Sequence, residues 1–500
     1  MIIETARDTR HQFLTKARAL AGTHLWVFLL AGIVAAATLP RAWINYGPDE
    51  NGPNSAQAAL NLARTGVYRT PRDPGNPLFD YLLALVVPRA SYVGANLLVL
   101  SFYVLAVAAF ACLVWERRRR LLIPVFALTP ILLVNAVATI DYVAGLAMLL
   151  WTYVLAIRRR YVLAALVLGL AIGFRLPHAL FLVGLLLFMA LRRERRRDML
   201  LVAGLSLGLG LLFYVPILQA NGLGMLIIPG SPLHGLAYIL LIAYNGLLLF
   251  GLVATVALGI LLARHRRQVA QTLRPAGRAP DPAVVLEATT VVLMTALFLV
   301  HADQTAYLLP VVPFLYLLLD RWLSPREWIL LAVLIVAAGL ITVDLKGGTS
   351  GRRTFAPRPA WGSVVRDYME RAKIAALRTH VCEFAHSGKA VLMTGLGQAL
   401  TVENQATVPI GYQDLDPRLA PAGIAEIRHI ARCAAGPVYL VYSLSQDNVQ
   451  RLRTDGYNVY IFSEYAPSAV INDFGYDPTA LGIPALDVAN SAAFLRAIGR

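Results

Sequence analysis

Residues 46–81 read YGPDENGPNSAQAALNLARTGVYRTPRDPGNPLFDY. The stretch is polar and follows directly on an apolar run, so the chain has just left a bilayer when it begins. An acid pair, Asp49 and Glu50, opens it. Asn54 or Ser55 is placed to cap a helix that runs through Leu62 and stops at Gly66. Tyr68, Arg69 and Arg72 follow beside prolines. The apolar piece Leu78–Val87 is shorter than the roughly 20 residues a crossing needs, and reads as a helix lying in the interface. Carboxylates and guanidinium groups at a membrane edge are costly to keep there, which gives them a functional reading by default.

The rest of the chain supplies the membrane. It has 500 residues, of which 58% are hydrophobic and 15% charged, with a mean hydropathy of +0.61. Soluble domains carry about 25% charged residues. Apolar runs at Leu25–Trp43, Tyr92–Trp115, Leu121–Val137, Tyr142–Ile157, Tyr161–Phe174, Pro177–Leu191, Met199–Leu218, Gly235–Ala263, Val284–His301, Tyr307–Leu319 and Trp328–Val343 predict about 11 transmembrane helices. The first has the length of a span and no cleavage pattern, so no removable signal peptide is expected.

The net charge of +16 invites a nucleic-acid reading, but its distribution argues against one. Of 45 Lys and Arg, 23 lie in the N-terminal segment and in alternate loops, against 6 in the other loops. That asymmetry is the positive-inside signature. It places the N-terminus and the clusters at 117–120, 158–160, 192–197 and 264–278 in the cytoplasm, and the loop 44–91 with the C-terminal tail outside. The domains expected are a cytoplasmic segment 1–22, a polytopic α-helical domain 23–344 and an extracytoplasmic soluble α/β domain 345–500. In the tail, Trp361–His386 and Gln446–Asp455 read as helices, and 390–395, 438–443 and 458–462 as strands. Cys382 and Cys433 lie in this tail, where a disulfide and two free thiols are both open readings. Cys112 sits in an apolar run as packing.

Further ionisable groups sit at outer span ends. Asp141 heads the fourth span, Arg175 and His178 lie in GFRLPHAL, and His301 in HADQTAYLLPVVP. Each has a plainer alternative. Asp141 caps a helix, the histidines pack, and Arg69 and Arg72 snorkel to headgroups.

Taken together these pieces resemble a known family. Asp49, Glu50, Gly66, Tyr68, Pro71, Arg72, Gly75, Pro77 and Leu78 stand in an order similar to that of the polytopic GT-C glycosyltransferases. The similar group is the polyprenyl-phosphate-sugar dependent one, with protein O-mannosyltransferases and lipid A aminoarabinose transferases. ATIDYVAGLAMLL, LVLGLAIGFRLPHALFL and HADQTAYLLPVVPFL resemble three further family stretches, so the resemblance covers about 20–330. Asn76 stands where aminoarabinose transferases carry a lysine, Gln304-Thr305-Ala306 replaces a basic residue before the tyrosine, and no WWD motif is present.

The resemblance implies a GT-C-like fold in the plasma (inner) membrane. A sugar moves from a polyprenyl-phosphate donor to an acceptor hydroxyl on a lipid, glycan or protein. It implies Asp49 as general base with Glu50 and Asp141 assisting. Substrate contacts are expected from Tyr68, Arg69, Arg72, Asn76, Arg175, His178 and His301. No metal ligand set is assigned; the acids leave room for a divalent cation without requiring it. A lipid-linked-sugar transporter or flippase would use the same cavity without a base.

Overall fold

The computed structural model describes residues 29–47, 51–68, 70–71, 74–115, 121–222, 235–273, 280–302, 304–347, 354–380, 390–393, 427–430, 438–441, 446–462 and 485–486. The expected cysteine pair falls outside them; Cys112 is a free thiol.

Helix α1 (Leu29–Ala42) delivers the chain to the polar stretch, where α2 (Asn51–Thr65) forms and ends at Gly66 with φ +70°. Helix α3 (Pro77–Trp115) joins the expected interfacial piece to the second span without a loop. Ser91, at φ 49° and ψ −146°, breaks its direction three residues after Pro88. The third expected span is two short helices, α4 (Leu122–Ala127) and α5 (Pro130–Asn135). The reason is Pro130, which lacks an amide hydrogen and forces Thr129 to an extended ψ of 123°. The Thr129 hydroxyl bonds Val125 O at 2.8 Å.

Helices α6 (Tyr142–Ile157) and α7 (Tyr161–Phe174) fall where the charge clusters put them. At 14 residues α7 is about 21 Å long, short of a bilayer core of about 30 Å. The arginines 158–160 beside it can snorkel to make up the difference. A 3₁₀ turn, Leu176–Leu180, leads into α8 (Phe181–Leu191). The seventh span divides at Tyr214 into α9 (Arg196–Leu212) and α10 (Val215–Asn221). The eighth divides into α11 (Leu236–Leu248) and α12 (Leu252–Arg264), bent by 89°. Gly251 makes that corner with φ +80°, and a Cβ there would sit 2.6 Å from that of Ala338. Helix α13 (Arg266–Leu273) occupies the start of the expected basic loop, and α14 (Pro282–Val300), α15 (Val311–Leu319) and α16 (Pro325–Ala337) follow.

Among the described residues, two helices are by themselves long and apolar enough to cross, Pro77–Val114 and Pro282–Val300, or up to three crossings if the bent pair is one span. Shorter apolar helices of 10–17 residues accompany them. Several of the expected spans are helices broken at Pro or Gly, as at Pro130 and Gly251. Apolar residues still face outward, with Val162, Leu200, Ile260, Val292 and Val333 all more than half exposed. That surface suits lipid. Glu287, fully buried in α14, accepts from Tyr153 at 2.9 Å and from Arg321 at 3.3 Å, so its charge is paired within the bundle.

The eleventh expected helix stops at Ala337, six residues early. Its β-branched end joins strand β1 (Ile341–Gly347) instead, antiparallel to β2 (Thr354–Trp361). Helix α17 (Ser363–His380) follows. Strands β3 (Ala390–Met393), β4 (Ile427–Ile430), β5 (Val438–Val441), β6 (Asn458–Phe462) and β7 (Ala485–Leu486) form a sheet in the order β4-β5-β3-β6-β7. The neighbours β5, β3, β6 and β7 run parallel and β4 is antiparallel. Helix α18 (Gln446–Thr454) connects β5 to β6, as the alternation of patterns predicts.

Candidate active site

Asp141 precedes α6 and is fully buried. Its backbone carbonyl accepts from Gly145 N at 3.1 Å, so the carboxylate is fixed by the first turn of the helix. Arg175 lies where α7 gives way to the 3₁₀ turn, in extended backbone at φ −153°. Its Nη1 stands 3.3 Å from Asp141 Oδ2. The guanidinium carbon lies 4.1 Å from the Tyr142 ring centre and 5.0 Å from that of Tyr307. The two rings meet edge-on at 5.9 Å, and the Tyr142 hydroxyl donates to Gln304 Oε1. A buried cation is therefore held by one carboxylate and two π faces. Among the described residues Nη1 makes no hydrogen bond, so donor capacity remains for an anionic oxygen.

His178 packs against the same corner. It is buried, and its Nδ1 donates to Ala171 O at 3.0 Å. Gly145 makes room for it: a Cβ there would lie 2.0 Å from the imidazole Cε1. His301 ends α14, three residues before Gln304 and the Thr305–Leu308 turn that carries Tyr307.

The polar stretch after α2 is held by a second buried pair. The Tyr68 hydroxyl donates to Asp80 Oδ2 at 2.5 Å, and its ring stacks on Tyr81 at 5.8 Å. Burial, reinforced by the Asp80 carboxylate, pushes the Tyr68 phenol well above its usual range, so it remains a donor. Gly75, at φ +86°, lets the chain turn against Ile217, Thr70 and Tyr68. Asn76 is buried, and its Nδ2 has no hydrogen-bond partner among the described residues.

Asp49, Glu50, Arg69 and Arg72 lie outside the described residues. Both flanks of the acid pair are described. Gly47, at φ +120°, sits against Ala138, with a built Cβ 3.4 Å from the Ala138 Cβ. A Cβ on Gly52 would lie 2.8 Å from Tyr46 O and 3.7 Å from Thr139 O. Tyr46 O accepts from Thr139 N at 2.9 Å. Tyr46, Gly47 and Gly52 thus rest on residues 138–139, two positions before Asp141. No group of three or more His, Cys, Asp or Glu that could hold a metal occurs among the described residues, which leave out Asp49 and Glu50.

Sequence reasoning named Asp141 and Arg175 but not the aromatic partners that hold the cation, Tyr142 and Tyr307. Both read as aromatic belt. Nothing in the sequence around Asp80 marks Tyr68, twelve residues earlier, as its donor.

The described residues form a broken-helix bundle with a buried ion pair where α6 meets the end of α7, and this fold is similar to that of a solved GT-C enzyme. Among solved structures the chain is similar to ArnT from Cupriavidus metallidurans in the apo state, with a TM-score of 0.52 and 13% identity over 87% of this chain and 95% of that one. ArnT is an aminoarabinose transferase, the group the motifs resemble. No family profile and no curated relative matches the sequence.

Proposed function

We propose that the chain is a membrane glycosyltransferase that moves a sugar from a polyprenyl phosphate to an acceptor hydroxyl on the extracytoplasmic side of the inner membrane. The observation that carries this is the buried Asp141–Arg175 pair between two tyrosines, two positions beyond the backbone contact of Thr139 with Tyr46, in a fold like that of ArnT. The acceptor hydroxyl attacks the anomeric carbon and the lipid phosphate leaves. Asp49 accepts the hydroxyl proton, with Glu50 orienting the sugar. Arg175, together with Arg72 and His301, stabilises charge gathering on the leaving phosphate. Asp141 holds Arg175 in place. Tyr68, Arg69, Asn76 and His178 complete the donor pocket. The acceptor is a lipid, glycan or protein, and the tail domain lies on the same side.

The test is Asp49→Asn in purified protein offered a set of polyprenyl-phosphate sugars. Transfer should fall by at least about 100-fold, the range a positioned base contributes, while donor binding and thermal stability stay unchanged. Undiminished transfer would remove Asp49 from the mechanism. Donor movement across a vesicle membrane, with no transfer by the wild type, would favour a flippase.

A further inference from the structure

Arg371 belongs to α17, in the C-terminal part of the chain, and is fully buried. Its Nη1 donates to Asn45 O at 3.1 Å and its Nη2 to Val137 O at 3.0 Å. These two carbonyls belong to different segments. Asn45 lies four residues before Asp49, and Val137 four residues before Asp141. One guanidinium thus spans the two backbones that lead to the two carboxylates.

The surroundings fix that guanidinium. Its Nε donates to Asp367 Oδ2 at 3.1 Å, one turn earlier on α17. Asp367 also accepts from Arg41 Nη1 at 2.6 Å, and Arg41 Nη2 reaches Leu133 O at 2.8 Å. Arg371 returns its own carbonyl to Asn45 Nδ2 at 3.1 Å, while Asn45 Oδ1 accepts from Gly47 N at 3.0 Å. From the bundle side, Asn96 Nδ2 donates to Asn45 O at 2.7 Å, and Asn96 Oδ1 accepts from the Thr139 hydroxyl at 2.9 Å. Helix α17 is anchored at its start, where Gly362 N donates to Leu340 O at 2.8 Å and a Cβ on Gly362 would lie 2.3 Å from the Gly339 backbone.

We propose that Arg371 is a positioning residue: its planar fork sets the register of Asn45–Gly47 against Val137–Thr139, and through it the seat of Asp141 and Arg175 against the stretch that follows α1. The catalytic half of this rests on the glycosyltransferase reading; the clamp itself does not. Two parallel donors at fixed spacing are what an arginine provides and a lysine, a single point charge, does not. The C-terminal part thereby contributes a residue to a junction that Asn96 of α3 also bridges.

The experiment is hydrogen exchange on the full-length protein in lipid nanodiscs, comparing wild type, Arg371→Lys and Arg371→Gln, with turnover on polyprenyl-phosphate sugars measured alongside. In Arg371→Lys the amides of Gly47 and Thr139 should lose protection together while α17 beyond Asp367 keeps its own. Turnover should fall by about 100-fold, the cost of a displacement near 1 Å, with donor KM unchanged within about two-fold. Arg371→Lys is the deciding variant if Arg371→Gln does not fold, because it keeps the charge beside Asp367. Unchanged protection at Gly47 and Thr139, loosening of only one of them, or full turnover in Arg371→Lys would overturn the proposal. Joint loosening with no wild-type transfer on any donor would support the clamp and refute the transferase reading instead.

Discussion

Removing the charge of Asp141 while keeping its shape isolates what the ion pair contributes. At 3.3 Å and an effective dielectric of about 20, the attraction to Arg175 is about 5 kcal/mol before desolvation is counted. Breaking a buried pair from one side typically costs about 3–5 kcal/mol, because the other charge stays behind. Here the Arg175 side chain keeps only 11% of its surface in solvent, but two tyrosine faces remain and offset part of the loss. Asp141→Asn should therefore destabilise the protein by about 3 kcal/mol. Arg175→Met leaves a buried carboxylate behind and should cost a similar amount. The double variant should cost clearly less than the sum of the two, with a coupling of at least about 1.5 kcal/mol. Denaturant-induced unfolding in detergent micelles, followed by tryptophan fluorescence, measures all four proteins. A coupling under about 0.5 kcal/mol, the scatter of independent sites, would show that the pair holds nothing and would refute the reasoning.

Two further outcomes are expected. Gly145→Ala should destabilise by about 1–3 kcal/mol despite the helix propensity gained, since the new methyl meets the His178 ring; Gly145→Ala with His178→Ala should be less destabilised than the two singles added, by the same unfolding measurement. Glu327 forms a capping box with Ser324 and bonds His265 at 3.1 Å; the Ser324 hydroxyl and amide, then His265, hold its carboxyl down to about 2. A lowered carboxyl stabilises the fold above its unfolded value near 4.5 and loses that contribution as pH falls from there towards 2. The melting-temperature gap between wild type and Glu327→Ala should therefore be full at pH 7 and shrink below about pH 4.5; a constant gap down to pH 3 would refute the assignment.

The ends of α6 and α7 were legible because arginine clusters mark them, and β6 because NVYIF alternates between turn residues. Helix breaks were harder. Pro130 and Gly251 stood in plain view, but a membrane window averages over them, so α4–α5 and α11–α12 read as single spans. The start of β1 also reads as the end of a helix, because Ile341, Thr342 and Val343 suit either, and only pairing with β2 decides. Strand β4, IRHI, is short and half charged, with no run to notice. In the site, Asp141 and Arg175 were visible as ionisable groups at outer span ends. The Arg41–Asp367–Arg371 cluster was not, since it joins positions more than 320 residues apart. One signal was available: Arg41 is among the few basic residues on the side where the positive-inside rule disfavours them.

The passage of α3 through the bend at Ser91 without a loop has a mechanical meaning. Its outer arm carries Asp80 and Tyr81, which must mesh with Tyr68, while its inner part is seated in the bundle. Only the bend at Ser91 lies between them, with no loop to take up slack, so the arm is indexed like a gear. One residue inserted between Pro88 and Tyr92 would turn it by about 100° and disengage the teeth, although the site's own residues would all still be present.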